Sequence, residues 1–349
     1  MVVYRLQNIH ICPMPLILAI ESSCDDTSAA IIQNGKILAN IATAQVVHEA
    51  WGGVVPELAS REHLKQIVAV VDSAFLKSGI AKSDLDAIAF TRGPGLIGSL
   101  MVGVAFAKAM GLALNIPLIE VHHMQAHVLA NFIDHTPPFP HICLTVSGGH
   151  TQIVMVESPA SMRILGQTID DAAGEAFDKI AKIIGLPYPG GPLLDMHAQL
   201  GDSSKFTFAE SKIEGLDFSF SGLKTSVLYF IQKQLKTNPD FISQNLDDLC
   251  ASVQKTIVDT LISKVEKAAL ENNIQHISLA GGVSANSNLR HTFLAIAEKN
   301  GWQAYVPSFE YCTDNAAMIA MAAHFKFEAG EFCSQDVEPQ ARIPFTFVQ

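Results

Sequence analysis

Leu16-Ile-Leu-Ala-Ile20, followed by Glu21-Ser-Ser-Cys-Asp-Asp-Thr27 and Ser28-Ala-Ala-Ile-Ile32, reads as an apolar strand, a polar turn and a returning strand. The second half of the chain repeats this unit as Ile142-Cys-Leu-Thr-Val146, Ser147-Gly-Gly-His-Thr151 and Gln152-Ile-Val-Met-Val156. Both hairpin tips offer backbone N–H groups and hydroxyls to an anion. A repeated hairpin, each copy followed by helical periodicity, predicts a duplicated α/β fold.

The length agrees with two copies. At 349 residues the chain exceeds the roughly 250–300 residues at which single cores stop growing. The expected divisions are a leader over 1–15, an N-terminal lobe over 16–132, a hinge over 133–140 and a C-terminal lobe over 141–313. A final helix over 314–330 is expected to return to the N-terminal lobe, with a tail over 331–349. Met14 is an alternative start.

A helix is predicted from Pro56, with Leu64, Ile67, Val68, Val71 and Phe75 on one face. Ala87–Phe90 reads as a strand, and Gly93-Pro-Gly95 punctuates the chain before an apolar helix over 96–114. That helix is apolar nearly all round. It belongs sandwiched in its own lobe in preference to lying against another chain. Asp170–Asp178 leads into a helix through Ile184, then a loop over Pro187–Pro192. Leu249, Val253, Ile257, Leu261 and Val265 stripe a long helix over 247–271, Ile277–Ala280 is a strand, and Asn315–Phe327 is the last helix.

The balance of 23 Lys+Arg against 34 Asp+Glu, a net charge of -11, opposes nonspecific binding to a phosphate backbone. Nucleic-acid contact would need a local basic patch or a partner's surface, for which Arg61, Lys65, Lys179, Lys182 and Lys224 stand against a reading as solvated charge. The six cysteines are scattered without a Cys-x-x-Cys pair, which predicts reduced thiols and a soluble, cytoplasmic protein. No spanning helix is expected, because Ser99, Lys108 and Asn115 interrupt the most apolar stretch, and Met1–Pro13 is too polar for a secretory segment.

Gly148 and Gly149 lack the Cβ that would keep a phosphate from the backbone. Gly281-Gly-Val-Ser-Ala-Asn286 lies at a strand-to-helix junction, where the helix N-terminus favours negative charge and Asn286 can bond a base or ribose. With the Pro189-Gly-Gly191 loop, these turns predict a nucleotide site. His123 and His127, four residues apart, share a helix face, and Asp314 in Cys312-Thr-Asp-Asn315 can add an oxygen. Three ligands on a divalent cation leave positions open for catalysis. Equally, His122, His123 and His127 read as buried, hydrogen-bonded helix residues. A peptidase is excluded, since the His-Glu-x-x-His arrangement needs its general base where this chain has Met124.

Ten segments in order carry a resemblance. They are Ile20-Glu-Ser-Ser-Cys-Asp-Asp-Thr27, Gly52-Gly-Val-Val-Pro-Glu-Leu-Ala-Ser-Arg-Glu-His63, Gly93-Pro-Gly-Leu-Ile-Gly-Ser99, His122-His-Met-Gln-Ala-His127 and Val146-Ser-Gly-Gly-His-Thr151. The rest are Asp170-Asp-Ala-Ala-Gly-Glu-Ala-Phe-Asp-Lys179, Tyr188-Pro-Gly-Gly-Pro192, Ser219-Phe-Ser-Gly-Leu-Lys-Thr225, Ala280-Gly-Gly-Val-Ser-Ala-Asn286 and Cys312-Thr-Asp-Asn315. Over 16–327 the sequence resembles the bacterial tRNA threonylcarbamoyltransferase family, TsaD.

The resemblance implies the two-lobed actin-like/sugar kinase/Hsp70 (ASKHA) fold, with duplicated lobes and an interlobe cleft. It implies transfer of a threonylcarbamoyl group from threonylcarbamoyl-AMP to the 6-amino group of the adenosine 3′ of the anticodon, in tRNAs reading codons that begin with A. It further implies His123, His127 and Asp314 as ligands of one divalent metal, Fe2+ ahead of Zn2+. Thr145, Val146, Ser147, Gly148, Gly149, Asp178, Gly191, Asp195 and Asn286 become the adenylate contacts. An exocyclic amine is a poor nucleophile, so a good leaving group and a cation are needed and a nucleophilic Ser or Cys is not. Asp25 is the expected positioning or proton-accepting group.

Implied partners are tRNA, a small inactive paralogous subunit (TsaB-like) and a P-loop ATPase (TsaE-like), with the helices from Pro56 and Leu96 as the paralogue's interface. The chain departs from the family where Asp26 replaces a common Glu. The paralogue lacks the metal histidines that this chain keeps, so the chain is expected to be the catalytic member. The rival readings are an ATPase or small-molecule kinase of the same fold, which two imidazoles suit poorly as magnesium ligands, and a non-catalytic assembly subunit.

Overall fold

The computed structural model describes residues 15–211 and 213–345, so Met14 with nearly all of the expected leader, and the last four residues of the tail, lie outside the described residues. Two compact units emerge, one of 15–45, 56–129 and 315–343, the other of 46–55, 130–314 and 344–345. The chain changes unit at Leu129–Ala130, ahead of the hinge expected over 133–140. Within the second unit Asp134 accepts from the Ser308 N–H at 2.9 Å, and His135 Nε2 bonds the Val306 carbonyl at 3.1 Å. Residues 46–55, expected in the first lobe, belong to the second unit. They fold on themselves, with His48 Nδ1 accepting from the Val55 N–H.

Unit 1 contains β1 (Leu16–Glu21), β2 (Thr27–Gln33), β3 (Lys36–Thr43), α1 (Pro56–Ser78), β4 (Ala87–Gly93), α2 (Ile97–Leu114), β5 (Leu118–His122) and α3 (His123–Leu129). Its sheet runs β3-β2-β1-β4-β5, antiparallel through the first three strands and parallel from β1 to β5. Unit 2 contains α4 (Asn131–Asp134), β6 (His141–Val146), β7 (Thr151–Ser158), β8 (Ser161–Gln167), α5 (Ala173–Ile183) and α6 (Gly190–Ala198). It continues with α7 (Ser221–Leu235), α8 (Phe241–Glu271), β9 (His276–Ala280), α9 (Ser287–Asn300) and β10 (Gln303–Tyr305). Its sheet order, β8-β7-β6-β9-β10, has the same pattern of pairing. The duplication predicted from the hairpins is present, and each hairpin gains a third strand. Asn34-Gly35, with φ of 49° and 73°, makes the tight β2–β3 turn that Asn-Gly favours.

β1 and β6 are buried at every position, which requires cover on both sheet faces. In unit 1 the helices packed on the sheet are α1, α2 and α10 (Ala316–Glu328). In unit 2, Leu249, Val253, Ile257, Leu261 and Val265 of α8 are fully buried, as their spacing predicts. Each such side chain contributes roughly 1.5–3 kcal/mol by leaving water.

Three helices differ from expectation. On α1 the buried face is Ala59, His63, Ile67, Val70, Val71, Ala74 and Phe75, while Leu64 and Val68 are exposed. Their 100° step turns them off the core stripe. Helix α2 is only partly sandwiched, because Ile97, Met101 and Leu112 face outward. It is also, against expectation, long and apolar enough to cross a membrane by length and composition, with one third of the stretch buried. Ser99 and Lys108 do not break it, and Asn115 caps its end in the left-handed conformation. Finally, Gly190-Gly-Pro192 opens α6 where a loop was expected.

Candidate functional site

In unit 1 the ends of β1, β4 and β5 run parallel and finish together, the usual place for a ligand in such a sheet. Immediately after β5, His122 Nδ1 accepts from the N–H groups of Met124 and Gln125, so His122 caps α3. That removes it from the ligand set and leaves His123 and His127 on the helix, buried, with ring centroids 4.7 Å apart. Asp314 immediately precedes Asn315, whose side chain caps α10 by accepting from the Met318 N–H at 3.1 Å. Ligand atoms of His123, His127 and Asp314 all lie within 4.8 Å of one another. A first-row divalent ion held roughly 2.0–2.2 Å from each ligand spans pairs within that limit. The three expected ligands therefore fit one cation.

Around His123 the structure adds groups the sequence reading did not single out. Glu21, fully buried at the end of β1, accepts from the Ser23 N–H at 2.5 Å and the Thr91 hydroxyl at 2.5 Å. His123 Nδ1 lies 3.2 Å from the same carboxylate and 3.1 Å from Ser23 Oγ. The available signal was a carboxylate closing an otherwise apolar strand. The β1–β2 turn packs so tightly here that a Cβ on Gly95 would sit 2.5 Å from the Ser23 carbonyl oxygen. Asp25 is half-buried in this turn, two residues beyond Ser23, which with Glu21 lies within hydrogen-bond distance of His123. His63 of α1 pins the turn, with Nδ1 2.7 Å from Thr27 Oγ1 and Nε2 3.0 Å from the Cys24 carbonyl.

In unit 2 the expected adenylate residues are linked in a ring. The β6–β7 turn holds Ser147, Gly148 and Gly149, after the buried Thr145 and Val146. Added Cβ atoms on Gly148 and Gly149 would meet nothing within 4 Å, so this backbone is open to a ligand. The Ser147 carbonyl accepts from the Gly174 N–H at the start of α5. One turn on, Asp178 Oδ1 accepts from the N–H groups of Gly190 and Gly191 at 2.9 and 3.0 Å, fixing the start of α6. Burial pushes the Asp178 carboxyl above the usual range, outweighing those two bonds.

From α6, Asp195 accepts from Gln254 Nε2 at 2.9 Å, the Ser287 hydroxyl at 2.6 Å and the Ser287 N–H at 3.1 Å. Gln254 also reaches Asn286 Oδ1, which caps α9 by accepting from the Leu289 N–H. Asn286 thus has its oxygen committed to two donors. Gly281, at φ +87°, closes the ring, since a Cβ there would fall 2.4 Å from the Val146 carbonyl oxygen. All nine expected contact residues belong to this one arrangement. Gln254, Ser287 and Gly174 were not anticipated as its supports, although a polar amide beside the apolar stripe of α8 was visible in the sequence.

The basic residues fare differently. Arg61 pairs with Glu57, Lys65 with Glu62, Lys179 with Asp171 and Glu175, and Lys224 with Asp171. These four are neutralised locally, in line with the solvated-charge reading. Among the described residues, Cys24, Cys143, Cys250, Cys312 and Cys333 form no disulfide.

The family described as TsaD, tRNA N6-adenosine threonylcarbamoyltransferase, matches residues 36–321. The tRNA N6-adenosine threonylcarbamoyltransferase of Riemerella anatipestifer is 57% identical over 331 residues, covering 94% of this chain and 97% of that protein. Those of Christiangramia forsetii and Porphyromonas gingivalis are 56% and 53% identical, each covering 94% of this chain and 98% of the relative. Among solved structures, full-length HypF superposes with a TM-score of 0.59 at 14% identity, over 91% of this chain and 56% of that one. Component A of the Acidaminococcus fermentans (R)-2-hydroxyglutaryl-CoA dehydratase gives 0.51 at 17%, over 90% and 99%. At such identities these two establish the two-lobed ASKHA fold and nothing more. The relatives decide the rest: the chain belongs to the tRNA N6-adenosine threonylcarbamoyltransferase family, and is an enzyme of tRNA threonylcarbamoyladenosine modification.

Proposed function

We propose that this enzyme moves the threonylcarbamoyl group of threonylcarbamoyl-AMP directly onto the adenosine 3′ of the anticodon, in tRNAs reading codons that begin with A, without a covalent enzyme intermediate. The observation that carries the reading is the convergence of His123, His127 and Asp314. Two imidazoles and a carboxylate are a donor set that non-haem Fe(II) sites share with catalytic zinc sites, and the ion proposed here is Fe2+ ahead of Zn2+. When bound, such an ion supplies Lewis-acid polarisation of the carbamoyl oxygens. The chain's own residues do the remaining work.

The ring from Thr145 to Asn286 binds the AMP portion. The Ser147–Gly149 backbone takes the phosphate, while Gly191, Asp195 and Asn286 orient the nucleoside. Asp178 keeps Gly190 and Gly191 in place through their N–H groups. As N6 forms its bond to the carbamoyl carbon, the carbon–oxygen bond to the phosphate breaks and AMP leaves with the electron pair. Asp25 is the group proposed to receive the N6 proton.

The same reading places the enzyme in the cytoplasm, in keeping with cysteines that form no disulfide among the described residues. A TsaB-like paralogue is proposed to cover Leu64 and Val68 of α1 with Ile97, Met101 and Leu112 of α2, an apolar surface of unit 1. A TsaE-like P-loop ATPase completes the assembly. Charge insertion on both helices should abolish the paralogue's association, and unchanged association would remove this part.

No observation favours an ATPase, a kinase or a non-catalytic subunit. The test is mass spectrometry of nucleosides from tRNA incubated with the chain, its partners, threonine, bicarbonate, ATP and the upstream adenylate-forming enzyme. The wild type should yield threonylcarbamoyladenosine and His123→Ala should not. Equal yields, or a trapped acyl-enzyme, would refute the reading.

A further inference from the structure

We propose that Glu21 is a positioning residue of the metal site, holding the His123 ring in the tautomer that presents an unprotonated Nε2 to the cation. The inference rests on the metal reading above. Glu21 has no exposed surface, and burying a carboxylate is expensive unless donors surround it. Two of its donors, the Ser23 N–H and the Thr91 hydroxyl, would serve a purely architectural role by tying β1 to its own turn and to β4. The third contact, His123 Nδ1 at 3.2 Å, is not needed for that.

With a Glu21 carboxylate oxygen that already accepts from the Thr91 hydroxyl placed as the acceptor of this contact as well, the proton lies on Nδ1 and the lone pair on Nε2. Ser23 Oγ, 3.1 Å from the same nitrogen, can accept from it as well. The duplicated fold supplies an internal control. Val146 closes β6 as Glu21 closes β1, at the same place in the sheet, so a strand end in this frame does not require a carboxylate. The difference lies in what each strand end faces: a histidine ligand in unit 1 and an open glycine turn in unit 2.

Glu21→Gln keeps the shape but brings an N–H2 group that must point either at the Ser23 N–H or at His123. The second orientation forces Nδ1 to accept and moves the ring proton to Nε2. Nitrogen NMR of histidine-labelled, metal-free full-length chain should therefore show His123 protonated on Nδ1 in the wild type and on Nε2 in the variant. Chelator competition with Fe2+ and Zn2+ should show affinity reduced by about 10–100-fold, with AMP binding unchanged.

Thr91→Val removes an architectural donor and leaves the acceptor facing His123. It should lower the melting temperature while preserving tautomer and metal affinity. Unchanged affinity in Glu21→Gln, or equal losses in both variants tracking their melting temperatures, would overturn the proposal. Should the wild type bind neither ion, the metal reading falls, and the tautomer of the metal-free chain still decides whether Glu21 orients the ring.

Discussion

β1 and β6 are each six residues long, buried at every position and flanked by strands in the same order, yet they end in opposite ways. β1 finishes at a buried carboxylate, with a crowded turn bonded to His123. β6 finishes at Val146, and its turn exposes the backbone of Gly148 and Gly149 to open space. One frame thus carries a candidate site made of side chains and a candidate site made of backbone. The first suits a small cation that must be gripped from several directions, and the second suits a phosphate that needs N–H groups without intervening Cβ atoms.

The largest effect that tests this contrast is loss of a proposed ligand. His127→Ala should lower single-turnover threonylcarbamoyl transfer by on the order of 10³-fold, with AMP binding retained. Simultaneous loss of AMP binding in a folded variant would show that the two sites are not separable.

Next comes acid stability, because the strands differ at their other ends too. Where β1 begins with Leu16, β6 begins with His141, which is fully buried, with Nδ1 3.0 Å from the Pro138 carbonyl and Nε2 unbonded among the described residues. Burial pushes its pKa down from 6.5 to about 4, with the nearby His276 adding to the effect against the Pro138 bond. The unfolded chain therefore takes up the proton first. Stability is complete above pH 6.5 and declines as the pH falls through about 4, for a total of about 3 kcal/mol. Denaturant titrations at pH 7 and pH 4 should show that loss, and His141→Gln should flatten it. Hydrogen exchange in acid should rise in β6 and β9 before β1 and β4, and the reverse order would place the acid weakness in unit 1.

Gly149→Val sharpens the comparison from the backbone side. Its Cβ meets no protein atom, so the fold should persist while affinity for the adenylate donor falls by roughly 10–100-fold, the worth of one or two hydrogen bonds to a charged group. Metal content should not change, and a calorimetric titration with AMP checks the affinity. The smallest effect belongs to α1. Leu64→Ala should alter stability by less than about 0.5 kcal/mol, whereas Ile67→Ala on the same helix should cost about 2–5 kcal/mol, measured by urea denaturation.

The same two turns show how much could be read in advance. The hairpins, the stripe of α8 and the His123–His127 pair follow from local periodicity, so the sequence displays them directly. Asp314, the glycine turns and Asn286 could be picked out as candidates by residue type, whereas Asp178 and Asp195 came from the resemblance, because they join the turns only through the fold. Glu21 was missed for a different reason: its meaning depends on Thr91 and His123, about 70 and 100 positions away. Leu64 and Val68 were misplaced because an apolar residue one step off a helix stripe carries no mark of whether the core or a partner covers it. Ser99 and Lys108 looked like breaks in an apolar stretch, but each is a single polar position on a long helix.

The most direct test of this division of labour is the metal content of two purified variants, measured side by side after loading with Fe2+. The account predicts about one ion per chain in Gly149→Val, as a single three-ligand site requires, and none retained in His127→Ala. Equal metal content in the two, whether kept or lost, would contradict it.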